Sequence, residues 1–174
     1  MQLKDKDKNH EPAHQDVRTA ADVHPENGRE DCAVTDGLGR LLADSYRVSL
    51  KTQNFHWNVT GPQFSALHAL FEEQYHELAG AIDVVAERMR ALGVRAPGSF
   101  AEFSELASVN DSQGNPDAME MCRELARDFK ATSATAAALV TAAHAINDDG
   151  TADLATARVR VCDKAAWILD AHSG

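Results

Sequence analysis

An all-α fold, four long helices bundled with a short fifth helix between the second and third, follows from three features of the sequence. Apolar residues recur at three- and four-residue spacing through four separate stretches. Gly, Pro or Asn-Asp signals punctuate the boundaries of these stretches, and no segment keeps a convincing two-residue strand rhythm. Helices with one apolar stripe each bury it against one another, and four of this length do so as a bundle. The 174 residues make room for one such domain, and 44% hydrophobic with 25% charged side chains can close its core.

Residues 1–33 carry Lys, Asp, Glu, His, Pro and Gly with almost no aliphatic periodicity, so burial cannot offset their ordering entropy. They are expected as a flexible polar tail ahead of a domain spanning 34–174. From about Asp36, the row Leu38, Leu41, Leu42, Ser45, Val48, Thr52, Phe55 and Val59 predicts a first long helix that stops at Gly61-Pro62. Phe64, Leu67, Phe71, Tyr75, Leu78, Ile82, Val85 and Met89 predict a second, ending at Leu92-Gly93. The segment from Gly93 to Gly114 contains a short amphipathic piece, Phe100 to Leu106, and is long enough to cross the bundle from end to end.

Asn115-Pro116-Asp117 starts a third helix: Asn can cap, Pro fits the first turn and the acid meets the positive end of the dipole. It runs to about Ile146, where Asn147-Asp148-Asp149-Gly150 breaks it. Leu154, Val161 and Ile168, seven apart, with Ala157, Ala165 and Leu169 beside them, predict the fourth.

Several classes of function are excluded. The longest apolar-biased stretch, Ala131 to Ile146, is mostly alanine interrupted by Thr132, Ser133, Thr135, Thr141 and His144, far from the ~20 apolar residues of a membrane span. Lys4 to His24 is charged and polar where a signal peptide would be apolar, so a cytoplasmic location is expected. Cys32, Cys122 and Cys162 lack CxxC spacing and are odd in number, which reads as reduced thiols in packing or surface roles. A net charge of -10 disfavours a general nucleic-acid surface and suits a protein that gathers cations.

Imidazole with carboxylate suits first-row divalent metals, and three- or four-residue spacing stacks such ligands on one helix face. The second helix offers His68 with Glu72, then Asp83 with Glu87; the first adds His56 near its end. Taken singly, such an acid pair is what a solvated face carries, and a lone histidine is commonly a satisfied polar group. Placement favours ligands, because His68 adjoins Leu67 of the apolar stripe and His56 sits between Phe55 and Trp57.

Fifteen residues separate His68 from Asp83, about 22 Å along a helix axis, so one ion cannot touch both on one straight helix. Two copies of the second helix packed antiparallel about a two-fold axis would place His56, His68 and Glu72 of one chain beside Asp83 and Glu87 of its partner. The rival is a site inside one bundle, built from two Glu-x-x-His motifs and two more glutamates. Glu73 to His76 has that spacing. The third and fourth helices have no second copy of the motif, and the fourth has no glutamate, so Glu73 and His76 read as surface or interface groups.

The stretch Lys51-Thr52-Gln53-Asn54-Phe55-His56-Trp57-Asn58-Val59-Thr60-Gly61-Pro62-Gln63-Phe64, followed by Leu67-His68, Phe71-Glu72-Glu73 and Asp83-Val84-Val85-Ala86-Glu87-Arg88, resembles the core motif of the Dps family of mini-ferritins. The resemblance covers about Asp36 to His172. It implies a ferritin-like bundle assembled as a hollow dodecamer, with ferroxidase centres at two-fold interfaces. Carried over residue by residue, the ligands are His56, His68 and Glu72 from one subunit and Asp83 and Glu87 from its neighbour. The chemistry implied is oxidation of Fe2+, with hydrogen peroxide preferred over dioxygen, and storage of ferric mineral; zinc or other divalent ions can take the same sites. Trp57 resembles the family's tryptophan near the centre, where it intercepts stray radicals; an aromatic core residue is the plain alternative.

Asp148, Asp149 and Asp153 resemble the acids that line three-fold pores for iron uptake, where three copies of each would focus a negative potential. Capping of the fourth helix by Asp148 or Asp149 fits equally well. Some relatives carry further acids where this chain has Ala145 and Gly150. Family members that bind DNA use a lysine-rich terminus. Here Lys4, Lys6 and Lys8 alternate with Asp5 and Asp7, and residues 1–33 hold five Lys and Arg against eight Asp and Glu, a net of −3. Weak DNA contact through those lysines, multiplied by several tails, is less favoured than a solubilising role. Besides the oxidase, a mainly DNA-compacting protein and a non-redox metal-binding cage stay open.

Overall fold

The computed structural model describes residues 27–173, with side chains from Cys32 onward. Lys4, Lys6 and Lys8 lie outside the described residues. Five helices follow in order: α1 (Asn27–Asn58), α2 (Phe64–Ala91), α3 (Phe100–Leu106), α4 (Ala118–Ala145) and α5 (Asp149–Ser173), with no strand among the described residues. The long helices form the bundle, and α3 lies on the connection that carries the chain across it.

Every position of the first predicted stripe is buried, Ser45 and Thr52 included; their hydroxyls are satisfied by the carbonyls of Leu41 and Val48 at 2.7 Å each. The helix itself begins at Asn27 instead of about Asp36, so residues 27–33, expected in the tail, are helical. Buried Val34, four residues before Leu38, extends the stripe backward; Gly37 and Gly39 obscure this in the sequence by lowering helix propensity. Gly37 has a packing reason, since a Cβ there would lie 3.0 Å from Leu139 Cδ1.

The core has two centres. One gathers Phe55, Phe71 and Phe129 with Leu67, Leu125 and Leu169; the other gathers Leu38, Leu41, Leu42, Val85 and Leu139. Each fully buried side chain of this size contributes about 1.5–3 kcal/mol relative to exposure. On α5 the predicted Ala165 and Leu169 are buried, but Leu154, Val161 and Ile168 are half-buried on the flank, one residue before the buried row Ala155, Cys162 and Leu169. Small residues at Ala155, Ala165 and Ala166 let α5 seat closely in the bundle, and size alone misdirects the reading.

Caps set the helix ends. Asp117, rather than the predicted Asn115, caps α4 by accepting from Glu120 N at 2.8 Å, with Pro116 just outside the helix. The turn from α4 to α5 is minimal. Asn147 takes φ 57°, Asn147 N donates to His144 O and Asp148 N to Ala143 O, which closes α4. Asp148 then caps α5 by accepting from Thr151 N at 3.0 Å.

A buried carboxylate that the sequence reading passed over fastens the crossing connection. Asp44, 0% exposed on α1, accepts from Ser108 N (2.6 Å), Ser108 Oγ (2.7 Å), Thr135 Oγ1 (2.8 Å) and Val109 N (3.2 Å). It ties α1 to both the α3–α4 segment and α4. Cys122 and Cys162 are core residues and Cys32 is exposed, all three free. None of the described helices is long and apolar enough to cross a membrane.

Candidate metal centre

The α1–α2 turn brings two histidines face to face. Gly61, at φ 101°, lets the chain reverse within the five residues Val59 to Gln63, so the end of α1 lies beside the start of α2. The rings of His56 and His68 stack at 3.8 Å between centroids, inclined by 19°. His56 Nδ1 lies 2.8 Å from the carbonyl of His68, and His68 Nδ1 lies 2.8 Å from the carbonyl of His56. A carbonyl only accepts, so each Nδ1 must donate.

That reciprocal pair of bonds fixes the chemistry. With Nδ1 carrying the proton, a neutral imidazole presents its lone pair at Nε2, the arrangement that prepares a histidine for a metal. The His56 carbonyl belongs to the last turn of α1, where helix carbonyls lack onward amide partners, so the bond also closes a helix end. Phe64 stacks on His68 at 5.0 Å and Tyr75 meets His56 edge-on at 5.3 Å, walling the pair with aromatic rings. Neither aromatic was singled out as a site residue by sequence reasoning. Their i−4 and i+7 positions relative to His68 are the signal that could have found them.

The carboxylates stand apart. Glu72 lies one turn after His68 and is exposed, and Asp83 and Glu87, one turn apart near the other end of α2, are exposed as well. None of these three bonds to another described residue. Among the described residues of one chain, no three His, Cys, Asp or Glu side chains come close enough together to hold an ion. The two histidines and Glu72 thus lie toward the start of α2, and Asp83 and Glu87 toward its other end. Glu73 and His76 are exposed, away from the bundle interior.

Trp57 is 62% exposed, which overturns its reading as a core aromatic and leaves it on the same face of α1 as exposed Leu50 and Tyr46. Among the candidate pore acids, Asp149 and Asp153 are exposed. Asp148 is not free. Beyond its cap, it accepts from Thr151 Oγ1 at 2.5 Å and pairs with Arg88 at 2.5 Å. Burial pushes its carboxyl up, but the Thr151 hydroxyl and amide with the Arg88 guanidinium outweigh that and hold it below the usual carboxylate range.

The ferritin-like domain family matches residues 35–174. A DNA protection during starvation protein from Brevibacillus brevis is 35% identical over 134 residues, covering 77% of this chain and 90% of the relative. The crystal structure of a Dps protein from Bacillus brevis superposes with TM-score 0.81 at 33% identity, covering 84% of this chain and 98% of that one. The Dps protein from Vibrio cholerae O1, a member of a broad superfamily of ferritin-like diiron-carboxylate proteins, superposes with TM-score 0.79 at 28% identity, over 84% and 92% of the two chains.

Proposed function

Because the chain belongs to the Dps family of ferritin-like proteins, we propose that it oxidises Fe2+ at sites shared between subunits and stores the ferric product inside a hollow dodecamer, shielding DNA from oxidative damage. The observation that carries this reading is the reciprocal His56–His68 pair, which turns both Nε2 lone pairs into ready ligands. The likeness to a diiron-carboxylate protein supports iron as the substrate.

In this reading His56 and His68, with Glu72, supply one half of each centre, and Asp83 and Glu87 of a second copy supply the other. Two centres form per two-fold interface. The nitrogen donors bind Fe2+ while the carboxylates neutralise its charge and tolerate the change to Fe3+. Hydrogen peroxide is the preferred oxidant and dioxygen the slower one. Two Fe2+ ions each give one electron, the O–O bond of peroxide breaks, and both oxygens leave as hydroxide before the ferric ions hydrolyse to mineral. Peroxide and Fe2+ are consumed together, so hydroxyl radicals do not form. Trp57, exposed beside His56, intercepts strays. Zinc or another divalent ion competes for the same donors. Asp149 and Asp153 draw Fe2+ in through pores where α5 begins. The protein acts in the cytoplasm, and DNA contact through the terminal lysines is a minor property.

Complementation tests the shared site. His56→Ala/His68→Ala and Asp83→Ala/Glu87→Ala chains, each weak in Fe2+ oxidation, are dissociated and reassembled together. Mixed interfaces regain intact centres and part of the rate. Mixed assemblies verified by mass that recover nothing refute shared ligation.

A further inference from the structure

One bonded cluster stands outside the ligand set and touches both ends of the proposed iron route. Arg88 follows Glu87 directly on α2. Its guanidinium reaches across to the α4–α5 turn, where Nη2 bonds Asp148 Oδ1 at 2.5 Å and Nε bonds Thr151 Oγ1 at 2.9 Å. Glycine at 150 leaves it room: a Cβ there would lie 3.3 Å from Cζ and Nη2 and 3.4 Å from Nη1, closer than most Cβ contacts. Thr151 is fully buried, Asp148 caps α5, and the same carboxylate accepts from the Thr151 hydroxyl at 2.5 Å, so a closed set of bonds joins α2 to the first turn of α5. That turn carries the exposed acid Asp149, and exposed Asp153 follows one turn on.

We infer that Arg88 is a positioning residue for iron capture: its two bonds across Gly150 hold the acidic first turn of α5 in register with the ligand-bearing turn of α2, Asp83 to Glu87. This rests on the proposed oxidase reading. It has two consequences. Asp148 is neutralised and is withdrawn from the iron-lining acids, which leaves Asp149 and Asp153 to attract Fe2+. Gly150 gives the guanidinium its room, because a Cβ there would push it aside by a few tenths of an ångström.

Charge and position can be separated because they move in opposite ways. Arg88→Ala leaves Asp148 as an uncompensated negative charge, whereas Asp148→Asn leaves Arg88 as an uncompensated positive one. Were the pair only an electrostatic element, the first would lower the Fe2+ concentration that gives half-maximal oxidation, the second would raise it, and Arg88→Ala/Asp148→Asn would match wild type. A positioning role predicts that all three raise it, by about tenfold as for supporting residues around metal ligands generally. The maximal rate of Arg88→Ala changes much less than its half-saturation. Gly150→Ala, which adds one methyl group, raises half-saturation as well but adds nothing further in the Arg88→Ala background, the signature of a shared pathway.

Initial rates against Fe2+ concentration, with assembly mass checked for each variant, decide it. Opposite shifts for Arg88→Ala and Asp148→Asn, a wild-type double variant, or full additivity with Gly150→Ala overturn the inference. Should Arg88→Ala fail to assemble, Arg88→Lys, which keeps the charge and loses the two-pronged contact, is expected to raise half-saturation above wild type, and a wild-type profile overturns the inference. Should wild type not oxidise Fe2+, the oxidase reading fails, and the same comparison is read as Co2+ affinity by calorimetry.

Discussion

Replacing Asp44 with alanine probes how the crossing connection is held, and its cost can be worked from the contacts. Four donors converge on that carboxylate. The hydroxyls of Ser108 and Thr135 can turn to other acceptors. The amide of Val109, a residue 2% exposed, cannot, and the amide of Ser108 is partly so placed. An orphaned buried amide costs about 1–3 kcal/mol, so one complete and one partial loss give about 3 kcal/mol for Asp44→Ala. In a chain of this size that lowers the midpoint of thermal unfolding by roughly 6–12 °C. Asp44→Asn retains one acceptor oxygen and is expected to lose about half as much. The assay is circular dichroism melting at one fixed protein concentration, since subunit association shifts the midpoint. A fall of under about 3 °C for the alanine variant would refute the claim that this carboxylate fastens the α3–α4 segment to α1.

Three further expectations are simple to check. Burial pushes the thiols of Cys122 and Cys162 up to about 11, so a thiolate-seeking reagent at neutral pH labels Cys32 alone in the native protein and all three cysteines after denaturation; fast native labelling of three contradicts the packing. Arg95, with help from the Gly98 amide and the Ser99 hydroxyl, holds the Glu102 carboxyl down to about 2. A depressed carboxyl stabilises fully above its unfolded value near 4.3 and loses that effect as pH falls toward its folded value. The stability gap between wild type and Glu102→Gln should therefore be constant near neutrality and close between about pH 4 and pH 2, and a gap unchanged over that window refutes the assignment. Finally, a chain of net charge -10 should not retard duplex DNA in a gel at about 150 mM salt; a salt-sensitive shift there would favour the DNA-compacting alternative.

Local patterns in the chain reached far, and they failed where distance or size intervened. The stripe from Leu38 to Val59 could be read because each member faces the core through its own periodicity. On α5 the same logic picked out Ala165 and Leu169, which are buried, but led with Leu154, Val161 and Ile168, whose size outweighs Ala155 while the tighter seat belongs to alanine. Asp44 was invisible for another reason: its partners lie 64, 65 and 91 residues away, and a lone acid in a helical stripe carries no mark of them. In the candidate metal centre, it was legible from spacing alone that one ion cannot reach both His68 and Asp83 on one helix. The crossed bonds of His56 and His68 were not, because they depend on how the five-residue turn places two helix ends.

Those crossed bonds bear on which mutations this centre tolerates. Each ring is oriented by a main-chain carbonyl, and a carbonyl is present whatever residue stands at the position. Point substitutions nearby therefore leave the orienting acceptors in place. Length changes do not. The two histidines are twelve residues apart across the turn, and inserting or removing one residue between Val59 and Gln63 rotates one helix end against the other and releases both rings together. Away from Gly61, whose positive φ a side chain would strain, sequence drift around the turn is cheap, and a change of loop length there is not.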